Sequence, residues 1–383
     1  MTWTPEQLAL RETTTRFVER EVSPHLQEWE DAGAIPRSLH VAAARAGLLG
    51  VGFAEDVGGQ GGSLLDTVAL QEAFFEAGGS SGLAAGLFTG GIALPHIAAH
   101  GSPELVDRFV RPTLAGEKIG ALAVTEPSGG SDVAGIRTTA VRDGDLFVVN
   151  GEKTFITSGV RADFVTTAVR TGGPGHSGIS LLVIEKGAPG FTVDRQLGKM
   201  GWHCSDTASL AFTDVRVPVS NLVGSLDSGF VQIAEQFVVE RIALAVHGYG
   251  IAARSLALTA DHCRERSTFG RPLVANQVVR HQLVEMHRQV DVARTYTRSV
   301  AARHDAGAPE DRHSVIGEAC LAKQTAVEAC GYVVDRAVQL HGGTGYLHGT
   351  EVERHYRDHR ILGIGGGATE VLTDLSAKLL GYA

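Results

Sequence analysis

The hydrophobic period of the chain changes twice, and the two changes divide it. Over residues 1–118 apolar side chains recur at helical spacing. Thr4-Pro5-Glu6 reads as a helix start with proline at the first helical position, and the pattern continues through Phe17 and Val18. Pro36 opens a second segment leading into alanine-rich His40 to Leu49, and Gly52 to Gly62 reads as a loop in which Glu55 and Asp56 are solvated charges. Ser63 to Gly78 is helical again, with Leu65, Val68, Ala69, Phe74 and Phe75 available for burial; Pro103 and Pro112 bracket a further short helix. Near residue 119 the period becomes alternating. Asp143-Gly144 and Asn150-Gly151 read as hairpin turns between the runs Arg137 to Val141, Leu146 to Val149 and Lys153 to Thr157. Phe164 to Val169, Ile179 to Ile184 and Leu210 to Phe212 extend a β unit to about Gly224, with Gly172 to Gly178 as a flexible loop. From Ser228 the helical period returns over 228–265, 274–306, 311–340 and 368–381. The expected fold is α+β: an N-terminal helical domain (1–118), a middle, mostly antiparallel β domain (119–226) and a C-terminal four-helix bundle (227–383).

Composition narrows the function classes. A hydrophobic share of 43% and a charged share of 20% are those of a soluble globular protein. The net charge of −9, with no basic run, argues against nucleic acid or an anionic membrane surface as partner. No stretch approaches the roughly 18 continuous apolar residues of a membrane span, and Met1 to Leu10 lacks the features of a secretory signal. The four cysteines are scattered without a C-x-x-C pair, so a reduced cytoplasmic location and a metal-free protein are expected. The 16 histidines show no H-E-x-x-H spacing, and no G-x-G-x-x-G follows a strand.

Candidate chemistry gathers at Ala121 to Gly135. Ala121 to Val124 is a short apolar strand, and a turn containing Pro127, Gly129 and Gly130 follows. The prolyl ring fixes φ, and the two glycines permit left-handed angles and close backbone approach, as a cradle for a flat phosphorylated ligand needs. Read alone, the stretch is equally an ordinary strand–loop–strand corner.

Thr125 to Asp132 (TEPSGGSD) resembles the signature of the acyl-CoA dehydrogenase family of flavoproteins. Gly52 to Gly62, Phe155 to Ser158, Cys204 to Thr207, Arg266 to Gly270 and Gln339 to Gly343 resemble that family's further motifs, in its order and at its spacings. The resemblance covers essentially the whole chain. It implies FAD, an acyl-CoA or other acyl-thioester substrate, an electron-transfer flavoprotein as electron acceptor, and a homo-oligomer, tetramer or dimer, assembled through the bundle. It places Leu122, Val124, Thr125, Gly130 and Ser131 along the flavin ring, with Phe155, Ile156 and Thr157 on its other side. Phe155 stands where the family often has tryptophan. Arg266, Phe269 and Gln277 would hold the ADP end, and Gln339, Leu340, His341, Gly342 and Gly343 would serve the neighbouring subunit's FAD; Thr369 joins the cofactor set. Without the resemblance, Arg266 reads as a solvated charge and Gly342-Gly343 as a helix C-cap.

One position departs from the family pattern. Aligning Arg357 through Glu370 puts Gly366 where much of the family has its catalytic glutamate. Glu240 is the replacement candidate: on a helix it shares a face with Phe237, Leu244, His247 and Ile251, which would desolvate it and raise its pKa. From the residues alone, a carboxylate pairing with a cation across the bundle is the stronger reading. The resemblance reverses this, because isovaleryl-CoA and long-chain acyl-CoA dehydrogenases carry their base in a Glu-Arg pair on this helix. Arg241 then resembles the substrate-contacting arginine, pointing away from Glu240. Ser131, Gly366 and Gly367 complete the substrate set, with a backbone N–H at 366 polarising the thioester carbonyl. Gly365-Gly366-Gly367 is also expected to free space for branched chains. The competing readings are a flavin oxidase using O2 and an acyl-CoA-binding scaffold without catalysis.

Overall fold

A computed structural model describes residues 2–307 and 312–382. Asp311, the first residue of the third predicted bundle segment, lies outside them. Helices α1 (Pro5–Phe17), α2 (Leu26–Ala32), α3 (Arg37–Arg45), α4 (Leu64–Glu76) and α5 (Ser81–Leu87) lead to four short helices, α6 (Gly90–Ala93), α7 (Pro95–His100), α8 (Pro103–Leu105) and α9 (Arg111–Leu114). Thr4 and Ser63 each close a capping box, which explains why α1 and α4 begin there. Pro112 does not end a helix as expected. The run passes through a widened π turn at Val106–Val110 and continues, and Lys118 Nζ donates to the Arg108 carbonyl at 3.0 Å, the group that a proline four residues on cannot satisfy.

The middle unit is one eight-stranded sheet of β1 (Gly120–Ala123), β2 (Thr139–Asp143), β3 (Leu146–Thr157), β4 (Phe164–Arg170), β5 (Ile179–Glu185), β6 (Phe191–Gln196), β7 (Thr207–Pro218) and β8 (Leu222–Val223). The order is β6-β7-β3-β2-β4-β5-β8, antiparallel except where β4 meets β2 and β1. Asp143-Gly144 makes the expected hairpin. Asn150-Gly151 does not: β3 runs straight through it, and Gly151 (φ +146°) forms a bulge against β7. A Cβ there would sit 2.5 Å from Thr138 Oγ1, so glycine serves a close backbone approach rather than a turn.

The C-terminal helices are α10 (Gly229–Glu265), α11 (Gln277–Ala306), α12 (Arg312–His341), α13 (Glu351–Asp358) and α14 (Thr369–Leu379). α10 is long and apolar enough to cross a membrane by length and composition, but it is the central helix of the bundle, packed on α11, α12 and α4. Gly248 and Gly250 let Ala326 of α12 and Phe75 of α4 approach to where a Cβ would meet them at 2.9 and 2.6 Å. Phe74 and Phe75 belong to the same apolar core as Val246 and Tyr249, so N-terminal helices and bundle share one interior; one sheet face has its own core, and the other packs Phe164, Leu181 and Val183 with Ile97, Leu105 and Ile233.

The units meet at a buried acidic cluster. Asp358 accepts the Trp202 backbone N–H at 2.6 Å, and Glu30 accepts the Ser80 hydroxyl at 3.3 Å. Burial, then the charge of Glu30, pushes Asp358 up to about 7. The folded chain therefore holds a proton there that the unfolded chain has released, and stability contributed by protonated Asp358 is lost as pH rises from about 4 to about 7. Asp358→Asn keeps the acceptor for Trp202 and cannot ionise. We expect its thermal midpoint to fall less than wild type's across that window; an unchanged slope would refute the assignment.

Candidate active site

The signature loop is stapled to the sheet by two residues that sequence reasoning passed over. Glu126, buried, accepts the backbone N–H groups of Arg137 at 2.7 Å and Thr138 at 2.9 Å, fixing the far side of the loop. Lys153, fully buried on β3, donates to Glu126 Oε1 at 2.8 Å and to the Val124 carbonyl at 2.9 Å. Burial lowers the Lys153 ammonium to about 8, against the pull of Glu126; burial alone would raise Glu126, but Lys153 and the hydrogen bonds hold it below its ordinary value. The Thr154 N–H adds a bond to the Thr125 carbonyl at 2.9 Å. A lysine on the face of β3 that also carries Phe147 and Val149 was the available signal. The loop closes through reciprocal Glu126–Gly129 backbone bonds, and neither Gly129 nor Gly130 adopts the left-handed angles expected of it.

β3 delivers Phe155 beside this loop on a second irregularity, between Lys153 and Ile156. Phe155 takes φ +59°, rare for a bulky residue, and is 69% exposed. Ile156 points the other way into the sheet core, so only its backbone is available to a ligand. The hydroxyls of Thr125, Ser131 and Thr157 have no hydrogen-bond partner among the described residues. A flat exposed ring, an apolar strand edge at Leu122 and Val124, and free hydroxyls fit an isoalloxazine system and its polar rim.

Glu240 faces the same place. A cleft lined by Gly91, Ile92, His96, Leu122, Ile233, Gln236, Phe237 and Glu240 joins β1 to α10. Glu240 is half-buried and makes no hydrogen bond or ion pair among the described residues. Burial raises its pKa, opposed by the charges of Lys323 and Arg241. Arg241 is buried, lies over the Phe237 ring at 5.1 Å, and leaves Nε without a partner among the described residues.

The departing position returns to this carboxylate. A Cβ built on Gly366 (φ +63°) would lie 3.4 Å from Glu240 Oε1, so the two candidate base positions converge in space. The N–H groups of Gly366 and Gly367 donate to nothing among the described residues. The expected free space is absent at two of the three glycines; a Cβ at Gly365 would meet only the Ile361 carbonyl, at 3.7 Å. A Cβ at 366 would collide with Leu244 Cδ1 at 2.2 Å and one at 367 with Leu372 Cδ2 at 2.7 Å, so leucines already fill that volume. Thr369 opens α14 just beyond.

The remaining predicted residues gather elsewhere. Arg266 follows the end of α10, roughly 39 Å of helix from Glu240. Phe269-Gly270 forms a two-residue hairpin tip with positive φ at both residues, leaving Phe269 fully exposed. His341, ending α12, stacks on His262 at 4.3 Å. Gln277, Gln339, Gly342 and Gly343 are exposed and Leu340 half-buried at that end of the bundle. These residues therefore sit at the opposite end of α10 from Glu240.

This architecture, with its flavin-shaped platform and facing carboxylate, is that of an FAD-dependent oxidoreductase built from two helical units around a sheet. The acyl-CoA dehydrogenase N-terminal, middle and C-terminal domain models match residues 4–117, 121–215 and 227–381. The mitochondrial long-chain specific acyl-CoA dehydrogenase of Mus musculus is 36% identical over 373 residues, covering 96% of this chain and 85% of that protein. Solved structures of a putative acyl-CoA dehydrogenase from Mycobacterium smegmatis (59% identity, TM-score 0.97) and a probable one from Mycobacterium abscessus (60%, 0.96) each cover 99% of both chains. The chain belongs to the acyl-CoA dehydrogenase family. It is an oxidoreductase acting on acyl-CoA, and its cofactor is FAD.

Proposed function

We propose that the chain oxidises a saturated acyl-CoA across Cα–Cβ to the trans-2-enoyl thioester, with Glu240 as the base. The convergence of Gly366 on Glu240 Oε1 carries this reading, because it puts a carboxylate where the family's usual base position arrives without a side chain. FAD, when bound, supplies the acceptor for the hydride leaving Cβ. Glu240 takes the α-proton; its partial burial raises its basicity toward that of a useful base for a weak carbon acid. The free N–H of Gly366 donates to the thioester carbonyl, stabilising charge that builds as the α-proton leaves. Ser131, Arg241 and Gly367 are assigned to substrate binding. Leu122, Val124, Thr125, Gly130, Phe155, Ile156 and Thr157 would hold the ring half of FAD. Arg266, Phe269, Gln277, Gln339, Leu340, His341, Gly342 and Gly343 would hold a neighbouring copy's FAD, which the separation along α10 supports. A homo-oligomer, with a tetramer as the first expectation, follows from that division, and exposed Phe269, Tyr346 and Leu347 are apolar surface for it to cover. An electron-transfer flavoprotein is proposed as the acceptor, and a cytoplasmic location goes with the reduced cysteines.

An anaerobic titration of the holoprotein with saturated acyl-CoAs of different length and branching tests this reading. Bleaching of the yellow flavin identifies the substrate class. Slow reoxidation by O2 afterwards agrees with a dehydrogenase, rapid reoxidation would indicate an oxidase, and binding without bleaching across the panel would indicate a scaffold.

A further inference from the structure

Lys323 is a buried cation for which the reaction described above has no use. It lies on α12, is 1% exposed, and its Nζ donates to the Gly365 carbonyl at 2.5 Å and the Gly367 carbonyl at 2.6 Å. No carboxylate lies within ion-pair distance among the described residues; the acidic group acting on it is Glu240. A buried ammonium aimed at two backbone carbonyls of one three-residue segment is a costly arrangement unless the segment must be held.

We infer that Lys323 is a positioning residue for the reaction: it clamps the Gly365–Gly367 segment so that the Gly366 N–H is presented to the thioester carbonyl, and its ammonium brings a positive charge to the segment that meets Glu240. The inference rests on the reading of Glu240 and Gly366 given above. The chain has no cis peptides among the described residues, so each peptide carries its C=O and N–H in opposite directions. With the Gly365 oxygen held on the ammonium, the Gly366 N–H must point away from it. Gly366 and Gly367 both occupy left-handed φ, at +63° and +96°. Consecutive glycines are the most conformationally free residues in a chain, and without an external anchor their peptide planes would rotate. A donor supplied by such a segment is preorganised only if something outside it fixes the planes.

The charge acts on the base as well; burial lowers the Lys323 ammonium to about 8, so the charge is present up to neutral pH and is lost above it. Loss of the Lys323 charge removes the first of the two influences that hold the Glu240 pKa down against burial, so the carboxyl should require higher pH to ionise. The other charged or titratable groups around Glu240 are Arg241 and His247 on its own helix, Cys320 beside Lys323 on α12, and His96 across the cleft. Burial lowers both histidines to about 4 and raises the thiol, so near neutral pH only Arg241 shares the cationic role.

The test compares FAD-loaded wild type with Lys323→Met and Lys323→Arg. Amide hydrogen exchange at Gly365 and Leu372, whose N–H groups bond to the Ile361 and Ala368 carbonyls at 2.8 and 3.0 Å on either side of the clamped glycines, reads the clamp in the resting enzyme without any substrate. Exchange should be faster in Lys323→Met and closer to wild type in Lys323→Arg. Single-turnover flavin reduction by a bleaching acyl-CoA should slow roughly tenfold or more in Lys323→Met, falling in the rate rather than in ligand affinity. Its rising pH limb should move to higher pH, and Lys323→Arg should restore the limb. Unchanged exchange in a stably folded, yellow Lys323→Met protein would overturn the clamp. A lowered melting temperature with an unmoved pH limb would reduce Lys323 to a structural role. If wild type bleaches with no acyl-CoA, the proposed reaction fails instead, and the exchange measurement still decides the clamp.

Discussion

Glu240→Gln is expected to remain yellow, fold like wild type and bind acyl-CoA, while its flavin reduction falls by roughly a thousandfold or more. The amide has the volume of the carboxylate, and Glu240 has no hydrogen bond or ion pair among the described residues to lose, so packing should survive. What disappears is the only carboxylate lining the cleft that Leu122 shares with α10. General base contributions are typically on the order of a hundred to ten thousandfold, and a carbon acid beside a thioester sits toward the upper end. Anaerobic stopped-flow absorbance with the best acyl-CoA from the panel is the measurement. Bleaching at the wild-type rate would remove Glu240 from the chemistry. Removing this partly buried charge should also relieve a desolvation cost, so thermal stability should not fall.

The second large effect is expected at Lys153. Lys153→Met fits the buried methylene path but leaves Glu126 charged, enclosed and without its cation. Breaking one side of a buried ion pair costs about 3–5 kcal/mol. The folded Glu126 carboxyl of the variant should rise, so the loss should be smaller at acid pH, where protonation discharges it. Removing both charges, as Lys153→Met with Glu126→Leu, should recover only part of the stability, because the Arg137 and Thr138 N–H groups then lose their acceptor. Urea unfolding gives the stability, and release of FAD from the folded protein reads the loop separately. A variant as stable as wild type with FAD fully retained would show that the pair is not what holds the signature loop.

How much of this was legible in the sequence follows from the range of the forces involved. The period changes near 119 and 228 lie next to the first residue of β1, Gly120, and of α10, Gly229, because amphipathic patterning is a local consequence of burial on one face. Local turn chemistry was less dependable. Asp143-Gly144 turns because the two strands it joins pair with each other; Asn150-Gly151 does not, because pairing of β3 with β7 carries the strand through and uses the glycine for a bulge. Pro112 failed as a helix terminator since a π turn and Lys118, a loop residue, supply what the proline removes.

For the site, the sequence by itself determined the family motifs, the absence of a side chain at 366 and the apolar face around Glu240. Only the tertiary structure decided what those residues do together. Gly366 and Glu240 lie on elements far apart in the chain, and their meeting depends on α10 packing against the turn before α14. Lys153 and Lys323 looked like ordinary members of a strand and a helix; each is buried against backbone carbonyls from another segment, which no local pattern encodes. At Gly366 and Gly367 the volume that suggested open space is filled by leucines, because packing density is a property of the folded interior and not of composition.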